Sequence, residues 1–524
     1  MRAVEATEIA AGNVTGLALM ESAGAAVVAA VLEEWPDIGK TPRALVLCGP
    51  GNNGGDGYVV ARLLAARGWA VTVAALGDSD RLPSDAAVMR GRWTGPVAVL
   101  DDGVLAGPAP DLMVDAVFGI GVTRPIPAAV ARVLNATLSE FAQVMPDQSL
   151  RKVAVDCPSG LDLDTGLPVL DLPRGDPQDG ARAVRADLTV TFHRAKCGHY
   201  LAQGPALCGK LRVVPIGLRD RERSFMHAIA DRVWLVEPRM HGADLCPRIW
   251  AADLRKDGGH KYDHGHVLVM AGGVGRGGAA RMAARAALRV GAGLVTVAPP
   301  PAALIENAAR LDAIMLRACK DADALTQMLS DERINALVLG PGLGGGARTR
   351  DLVAAALGAR RATVLDADAL TSFTDDPAQL FAALHDRVVL TPHEGEFAGL
   401  FPDLGFRLRK QSKIDAVRQA AARSGAVVLL KGEDTVIAAP DGTCALHSAS
   451  FDRAAPWLAT AGAGDVLAGI IAGMLARHAD AQSLVSLVAL AAWLHLEAAR
   501  SFGPGLIAED LPEEIPGLLS RLAM

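Results

Sequence analysis

The stretch CGPGNNGGDGYVVAR, running from Cys48 to Arg62, decides the fold. It follows an apolar run, Ala44 to Cys48, that reads as a strand, and it passes into a helical pattern expected over Gly57 to Arg67. A second strand is expected at Trp69 to Leu76. Strand, glycine-rich turn, helix and strand in succession are the pattern of a parallel sheet with crossover helices. Within the turn, Gly49-x-Gly51-x-x-Gly54 matches the formal dinucleotide fingerprint, with Asp78 after the next strand as a candidate ribose partner. Asn52, Asn53 and Asp56 carry more side-chain oxygen than a bare pyrophosphate turn uses, which suits a cation or a polar substrate. A tight strand-to-helix turn would need the same glycines, so that simpler reading stands beside the functional one.

Outward from this stretch the rhythm continues. Further strands are expected at Leu112 to Val117, Val153 to Asp156, Leu188 to Phe192 and Leu211 to Val214, and a helix at Leu17 to Glu34 stopped by Pro36. From Gly217 to about Pro247 the pattern loosens and charge rises, with RDRER its clearest segment. The rhythm then restarts, with strands expected at His266 to Met270, Gly293 to Val297, Ala336 to Leu339, Ala362 to Leu365, Val388 to Leu390 and Ala426 to Leu430. Two apolar helices are expected at Asp465 to Ala476 and Ser483 to Ala498. The division is therefore residues 1–220, a linker at 221–247, and residues 248–524. A chain of 524 residues exceeds the ~250–300 at which one core stops growing, which agrees with two domains.

Composition excludes several classes. With 51% apolar and 21% charged residues the chain is globular, and its 4% aromatic content points to cores of Val, Leu and Ala, as in α/β proteins. A net charge of −6 without a basic cluster argues against nucleic acid. The seven cysteines are scattered without a CxxC and read as reduced side chains of a cytoplasmic protein. Glu5, Glu8 and Glu21 precede any long apolar run, so no secretory signal is read. Leu484 to Leu496 is shorter than the ~20 residues of a membrane span and reads as a buried helix. No membrane partner is expected.

In an open parallel sheet the loops at the strands' carboxyl ends converge on one crevice. Such loops in the first half carry Asp115 with FGIGVTRP, and Asp156 with CPSGLD and Ser159. Asn53, Asp115 and Ser159 offer oxygens to one hard cation, and Asp156 is a candidate acid–base group. Taken singly, each Asp reads equally well as a helix cap or turn former.

LMESAG (Leu19 to Gly24), GPGNNGGDG, DAVFGIGVTRP, DCPSGLDLDTG and FHRAKCGH together resemble the NAD(P)H-hydrate epimerases. The resemblance covers roughly the first 220 residues. It implies a Rossmann-like parallel sheet with flanking helices, a bound K⁺, and interconversion of the R and S epimers at C6 of hydrated NADH or NADPH (NADHX, NADPHX). It places substrate against Asn52, Asn53, Gly54, Gly55 and Asp56, and against Gly119, Ile120, Gly121, Val122, Thr123, Arg124 and Pro125. It assigns K⁺ to Asn53, Asp115 and Ser159, and both substrate contact and proton transfer to Asp156. Lys196, in FHRAKCGH, reads as a motif residue or as a solvated lysine. Cys157 stands where an aliphatic residue is expected.

In the second half, Ala461-Gly462-Ala463-Gly464-Asp465 opens an apolar helix. Amides at such a start can hold a transferring phosphoryl group, and the Asp can take the attacking hydroxyl's proton; an acidic helix cap is the alternative. GPGLG (Gly340 to Gly344), LDADAL with Asp366 and Asp368, TPHEGE with His393, and LKGEDTVI with Lys431 each follow an apolar strand. His393 reads either as a turn residue or as a substrate contact. GxxxxGK[ST] is absent, which excludes a P-loop kinase.

From HKYDHGHVLVMAGG at His260 onward the chain resembles the ADP- or ATP-dependent NAD(P)H-hydrate dehydratases of the ribokinase-like superfamily. The resemblance implies phosphorylation of the C6 hydroxyl of the S epimer and elimination of phosphate. ADP is expected as donor, with Mg²⁺. Asp465 would be the base, with Ala280, Gly342 and His393 also on the substrate. Gly464, Lys431, Gly432, Glu433, Asp434 and Thr435 would hold the nucleotide. Val274 and Arg276 stand where a Ser and a Tyr-Thr-type stretch are expected, Tyr262 replaces a usual Gly, and Ala463 a commoner Ser. The expected whole is a bifunctional, homo-oligomeric, cytoplasmic repair enzyme. The alternative is a dinucleotide oxidoreductase or a sensor domain fused to a ribokinase-like kinase.

Overall fold

The computed structural model describes residues 2–39, 41–78, 81–122, 124–144, 148–169, 183–218, 233–236, 254–256, 258–407, 411–478 and 483–523. Thr123, Cys246 and the RDRER segment lie outside these residues. The chain divides into two compact units, Met1–Ser224 and Phe225–Met524.

The first unit is built on a sheet of strands β1 (Arg43–Cys48), β2 (Ala70–Ala75), β3 (Val97–Val99), β4 (Leu112–Ala116), β5 (Arg151–Val155), β6 (Leu188–Phe192) and β7 (Lys210–Val214). Their order is β3-β2-β1-β4-β5-β6-β7, with every pairing parallel. This is the Rossmann order with one strand added, and it reverses direction between β1 and β4. Helix Gly16–Glu34 packs on one face through Val27, Val28 and Val31, with its N-terminus capped by the Thr15 hydroxyl, which accepts from Ala18 N–H at 3.1 Å. A second cluster on Leu45, Leu47, Met113 and Val117 fills the other face.

One boundary differs from expectation. The helix after β1 starts at Asn52, not at Gly57, and runs to Ala65. Asn-Asn-Gly-Gly has poor helix propensity, but packing overrides it. A β-carbon at Gly54 would overlap the Gly49 carbonyl, and one at Gly57 would crowd Ala116 and Cys48. The glycines let this helical turn press onto the sheet.

The second unit holds β8 (Val233–Leu235), β9 (His266–Met270), β10 (Leu294–Ala298), β11 (Met315–Leu316), β12 (Ala336–Leu339), β13 (Ala362–Leu365), β14 (Val388–Leu390), β15 (Val427–Leu430), β16 (Asp434–Ala438) and β17 (Cys444–Ser448). The order is β11-β10-β9-β12-β13-β14-β15-β16-β17-β8, parallel up to β15, after which β16 and β17 pair antiparallel. The sheet again reverses direction, here between β9 and β12. The stretch expected as linker at 221–247 thus contains a strand, because Val233–Leu235 pairs in parallel with Cys444–Leu446.

Helices Ala463–Arg477 and Gly278–Arg289 bury apolar faces in the main core of this unit. Each fully buried Val or Leu there contributes about 1.5–3 kcal/mol. Helix Leu484–Phe502 is longer than its apolar run suggested. With 19 residues it has the length and apolarity of a membrane span, as does Gly16–Glu34, but 78% of its apolar window is buried against the protein itself. Its burial, not its length, is what makes it a core helix. Cys48, Cys157, Cys208 and Cys319 are free thiols.

Candidate active sites at two strand-end crevices

In the first unit, the residues following β4, β5 and β6 meet at the sheet's carboxyl edge. Asp156, directly after β5, adopts φ +68, a left-handed conformation that its surroundings must enforce. Its N–H donates to the Val190 carbonyl at 2.8 Å. Its Oδ1 accepts from Lys196 Nζ at 2.6 Å and Thr191 Oγ1 at 2.8 Å. Lys196 N–H donates to His199 Nδ1 at 3.0 Å, so Nε2 carries the proton and donates to the Asp156 carbonyl at 2.9 Å. His199 is buried and pushed down to about 4, chiefly by burial, so it is neutral. Burial pushes the Asp156 carboxyl up, but the Lys196 charge and the bonds from Lys196 and Thr191 outweigh it and hold the group below the ordinary Asp value. Lys196 is therefore an ion-paired site residue and not a solvated lysine; its side chain is 12% exposed.

The other oxygen of Asp156 lies beside Gly119. A β-carbon on Gly119 would sit 3.5 Å from Asp156 Oδ2 and 3.3 Å from the Asn53 side-chain amide, so Asn53 and Asp156 flank this glycine. Asp56 lies one helical turn beyond Asn53, half-buried. Burial first, then the charges of Asp156 and Glu5, raise its carboxyl well above the ordinary value.

Asp115 and Ser159 form a closed pair. Ser159 N–H donates to Asp115 Oδ2 at 2.7 Å and its hydroxyl to Oδ1 at 2.6 Å, while Phe118 N–H donates to Ser159 Oγ at 2.8 Å. Burial lifts Asp115 to about 6 against these bonds. Asn53 Nδ2 is buried without a hydrogen-bond partner. Gly54 and Gly55 are buried under the turn, Asn52, Gly121, Arg124 and Pro125 are exposed, and Ile120 and Val122 are intermediate.

In the second unit, Asp465 sits in the first turn of helix Ala463–Arg477, after Gly462 in a left-handed conformation (φ +90). Burial and the charge of Asp366 push it up to about 6, opposed by Lys431 and aided by Asp368. Lys431 Nζ lies 2.7 Å from Asp366 Oδ1 and 3.9 Å from Glu396 Oε2. A β-carbon on Gly464 would lie 3.3 Å from that ammonium and 3.8 Å from Asp366 Oδ2, so the helix start, Lys431 and Asp366 share one spot. Asp368 Oδ2 accepts from Gly344 N–H at 2.8 Å and ties the GPGLG loop to the same edge.

The other expected residues divide. Gly342, in the left-handed region, lines this edge half-buried. His393 caps helix Glu394–Leu400: its Nδ1 accepts from Gly395 and Glu396 N–H, leaving an exposed ring edge beside Glu396. Ala280 is fully buried in helix Gly278–Arg289. Gly432 and Thr435 close a turn on each other, with Thr435 Oγ1 donating to the Gly432 carbonyl at 2.7 Å. Asp434 and Thr435 already begin β16, and Glu433 just before them is exposed.

Two residues outside the expected set support the edge. His495 Nε2–H donates to the Ala463 carbonyl at 2.8 Å from within helix Leu484–Phe502. Lys413, nearly buried, pairs with Asp434 at 2.6 Å under the KGEDT turn. A lone His in an apolar run was the available signal for the first; no signal in the sequence marked the second.

Residues 267–516 match the family described as NAD(P)H-hydrate dehydratase, and residues 16–198 match the YjeF-related protein N-terminus. The bifunctional NAD(P)H-hydrate repair enzyme of Moorella thermoacetica is 34% identical over 97% of this chain and 93% of its own length. The chain belongs to this family of bifunctional NAD(P)H-hydrate repair enzymes. The repair enzymes of Pyrobaculum aerophilum (35%, covering 98% of this chain and 95% of theirs) and Escherichia coli (32%, 96% and 90%) match in the same way. Among solved structures, an ADP/ATP-dependent NAD(P)H-hydrate dehydratase from Bacillus subtilis aligns with a TM-score of 0.41 at 28% identity, covering 50% of this chain and 93% of that one. A ribokinase-like superfamily protein from Enterococcus faecalis gives 0.45 at 24%, covering 52% and 95%. Membership in the repair-enzyme family joins the two units in one enzyme.

Proposed function

We propose that the first unit epimerises R- and S-NAD(P)HX at C6 and that the second dehydrates the S epimer to NAD(P)H, with ADP as phosphoryl donor. The observation that carries this reading is a likeness to bifunctional repair enzymes that spans both units, 97% of the chain. A fused pair suits the chemistry, because the dehydratase consumes one epimer and the epimerase replenishes it from the other.

In the epimerase site, Asp156 is held ionised by Lys196, with Oδ2 turned toward Gly119 and Asn53, where the hydrated ring would lie. It is placed to hold or accept the proton of the C6 hydroxyl or of water. The donor set fits K⁺: a buried carboxylate at Asp115, whose nearby cation Lys152 is bonded to the Leu134 carbonyl, with the Ser159 hydroxyl and the Asn53 amide oxygen as the further oxygens. Asn53, Asp115 and Ser159 would hold the ion, which supplies positive charge to a carboxylate that burial penalises.

In the dehydratase site, Asp465 would take the proton of the C6 hydroxyl, while the amides at the helix start and the Lys431 ammonium face the transferring phosphoryl group. Carboxylates outnumber ammonium groups here, a donor set that suits Mg²⁺ carried on the phosphates. Gly464 and Lys431 to Thr435 would carry the nucleotide, and Gly342 and His393 the substrate. The enzyme would work as a cytoplasmic homo-oligomer on these small molecules, with no nucleic-acid or membrane partner.

Purified protein given mixed NADHX epimers and ADP should restore all of the reduced-nicotinamide absorbance. Recovery confined to the S fraction would remove the epimerase assignment; a stable phosphorylated product, with no release of phosphate, would favour the fused kinase instead.

A further inference from the structure

The second sheet reverses between β9 and β12, which pair in parallel while the chain continues to β10 on one side and to β13 on the other. Such a reversal opens a crevice beyond the carboxyl ends of the two strands. Two glycine loops line it, residues 271–277 after β9 and 340–346 after β12. They touch: a β-carbon on Gly272 would overlap the Gly342 carbonyl, and one on Gly342 would fall 2.7 Å from the Arg276 carbonyl.

Arg276 reaches across. A β-carbon on Gly344 would lie 3.2 Å from its Nη1, so the guanidinium rests against the GPGLG loop that the dehydratase reading assigns to substrate. Arg276 is exposed, and among the described residues no carboxylate pairs with it. Arg281, five residues on, is treated differently: its Nη1 lies 3.4 Å from Glu306 Oε1 and 3.1 Å from Asn307 Oδ1. Glu306 also accepts from Gly275 N–H at 2.7 Å, which fixes the loop while leaving Arg276 unneutralised. An unpaired guanidinium held at the mouth of a substrate crevice presents a planar fork of donors to a phosphate. Arg276 also stands at a position where this chain departs from the stretch its family resemblance leads one to expect.

We infer that Arg276 grips a phosphate of the hydrated dinucleotide in the dehydratase site and sets substrate affinity rather than rate. The inference rests on the dehydratase reading. Two phosphates present the required chemistry, the pyrophosphate of either dinucleotide and the 2′-phosphate of NADPHX.

The test is steady-state kinetics on the full chain with S-NADHX and S-NADPHX at fixed ADP, for the parent, Arg276→Ala and Arg276→Lys. Loss of one charge-assisted contact should raise KM for the dinucleotide about tenfold in Arg276→Ala with kcat within about twofold, and Arg276→Lys should recover part of it. A rise for both dinucleotides identifies the pyrophosphate; a rise for NADPHX alone identifies the 2′-phosphate. An unchanged KM for both, a rise in KM for ADP instead, or a fall in kcat alone overturns the inference. Epimerase activity and thermal unfolding of the same variants report their folding. A parent protein that converts neither dinucleotide sinks the dehydratase reading itself, whereas a working parent with unmoved variants sinks Arg276 alone.

Discussion

At the scale of single residues, Asp465 and Asp366 make a coupled test of the dehydratase chemistry. Asp465 must be ionised to accept a proton, and burial with the Asp366 charge raises it to about 6. Dehydratase kcat/KM should therefore fall as pH drops through about 6 and level off above it. The groups around it are Asp366, Asp368, Lys431 and, on Lys431, Glu396; His495, beneath Ala463, is pushed down to about 4 and stays neutral over this range. Asp366→Asn removes a negative charge and frees Lys431, and both changes favour ionised Asp465. The acid limb should move to lower pH by roughly one unit. A limb that stays in place, or moves upward, would show that Asp465 is not the titrating base. The motif LDADAL flagged Asp366 in the sequence, but its ion pair with a lysine 65 residues away in the chain was not legible there.

At the scale of elements, the turn after β1 shows packing overruling propensity. Asn-Asn-Gly-Gly reads as a loop, yet it is the first turn of helix Asn52–Ala65, since only glycine lets that turn lie on the Gly49 carbonyl. Gly54→Ala should destabilise the epimerase unit by about 3 kcal/mol, because the obstacle is backbone that cannot move aside. The lowered melting should be confined to the transition that abolishes epimerase activity, with dehydratase activity preserved; an unshifted melt would mean the turn yields. The β16–β17 hairpin went unforeseen for a simpler reason. Its signal was present in Pro440-Asp441-Gly442, a turn between two alternating runs, with Gly442 in the left-handed region. The edge strands β3, β8 and β11, of three, three and two residues, are too short to show a periodicity.

At the scale of the whole molecule, the two units have separate cores and separate carboxylate sites, so each activity should be removable without the other. Asp156→Asn should convert S-NADHX normally and leave the R epimer, and Asp465→Asn should epimerise without restoring NADH. Mixed together, the two variants should convert both epimers completely, because the substrate diffuses freely between molecules. Failure of the mixture, with each variant retaining its own half-reaction, would mean that one chain must carry both sites.

What the sequence determined by itself was whatever depends on local spacing. The alternation of apolar strands and helices gave two α/β units, and the motifs at strand ends gave the family and the candidate site residues. Tertiary structure decided what depends on the company each residue keeps. Lys196 became the charge partner of Asp156, and Arg276, among the described residues, was left without an acid at the crevice where the sheet reverses. A motif fixes which atoms are available, but charge, burial and access are set by neighbours distant in sequence, and only the folded sheet brings those together.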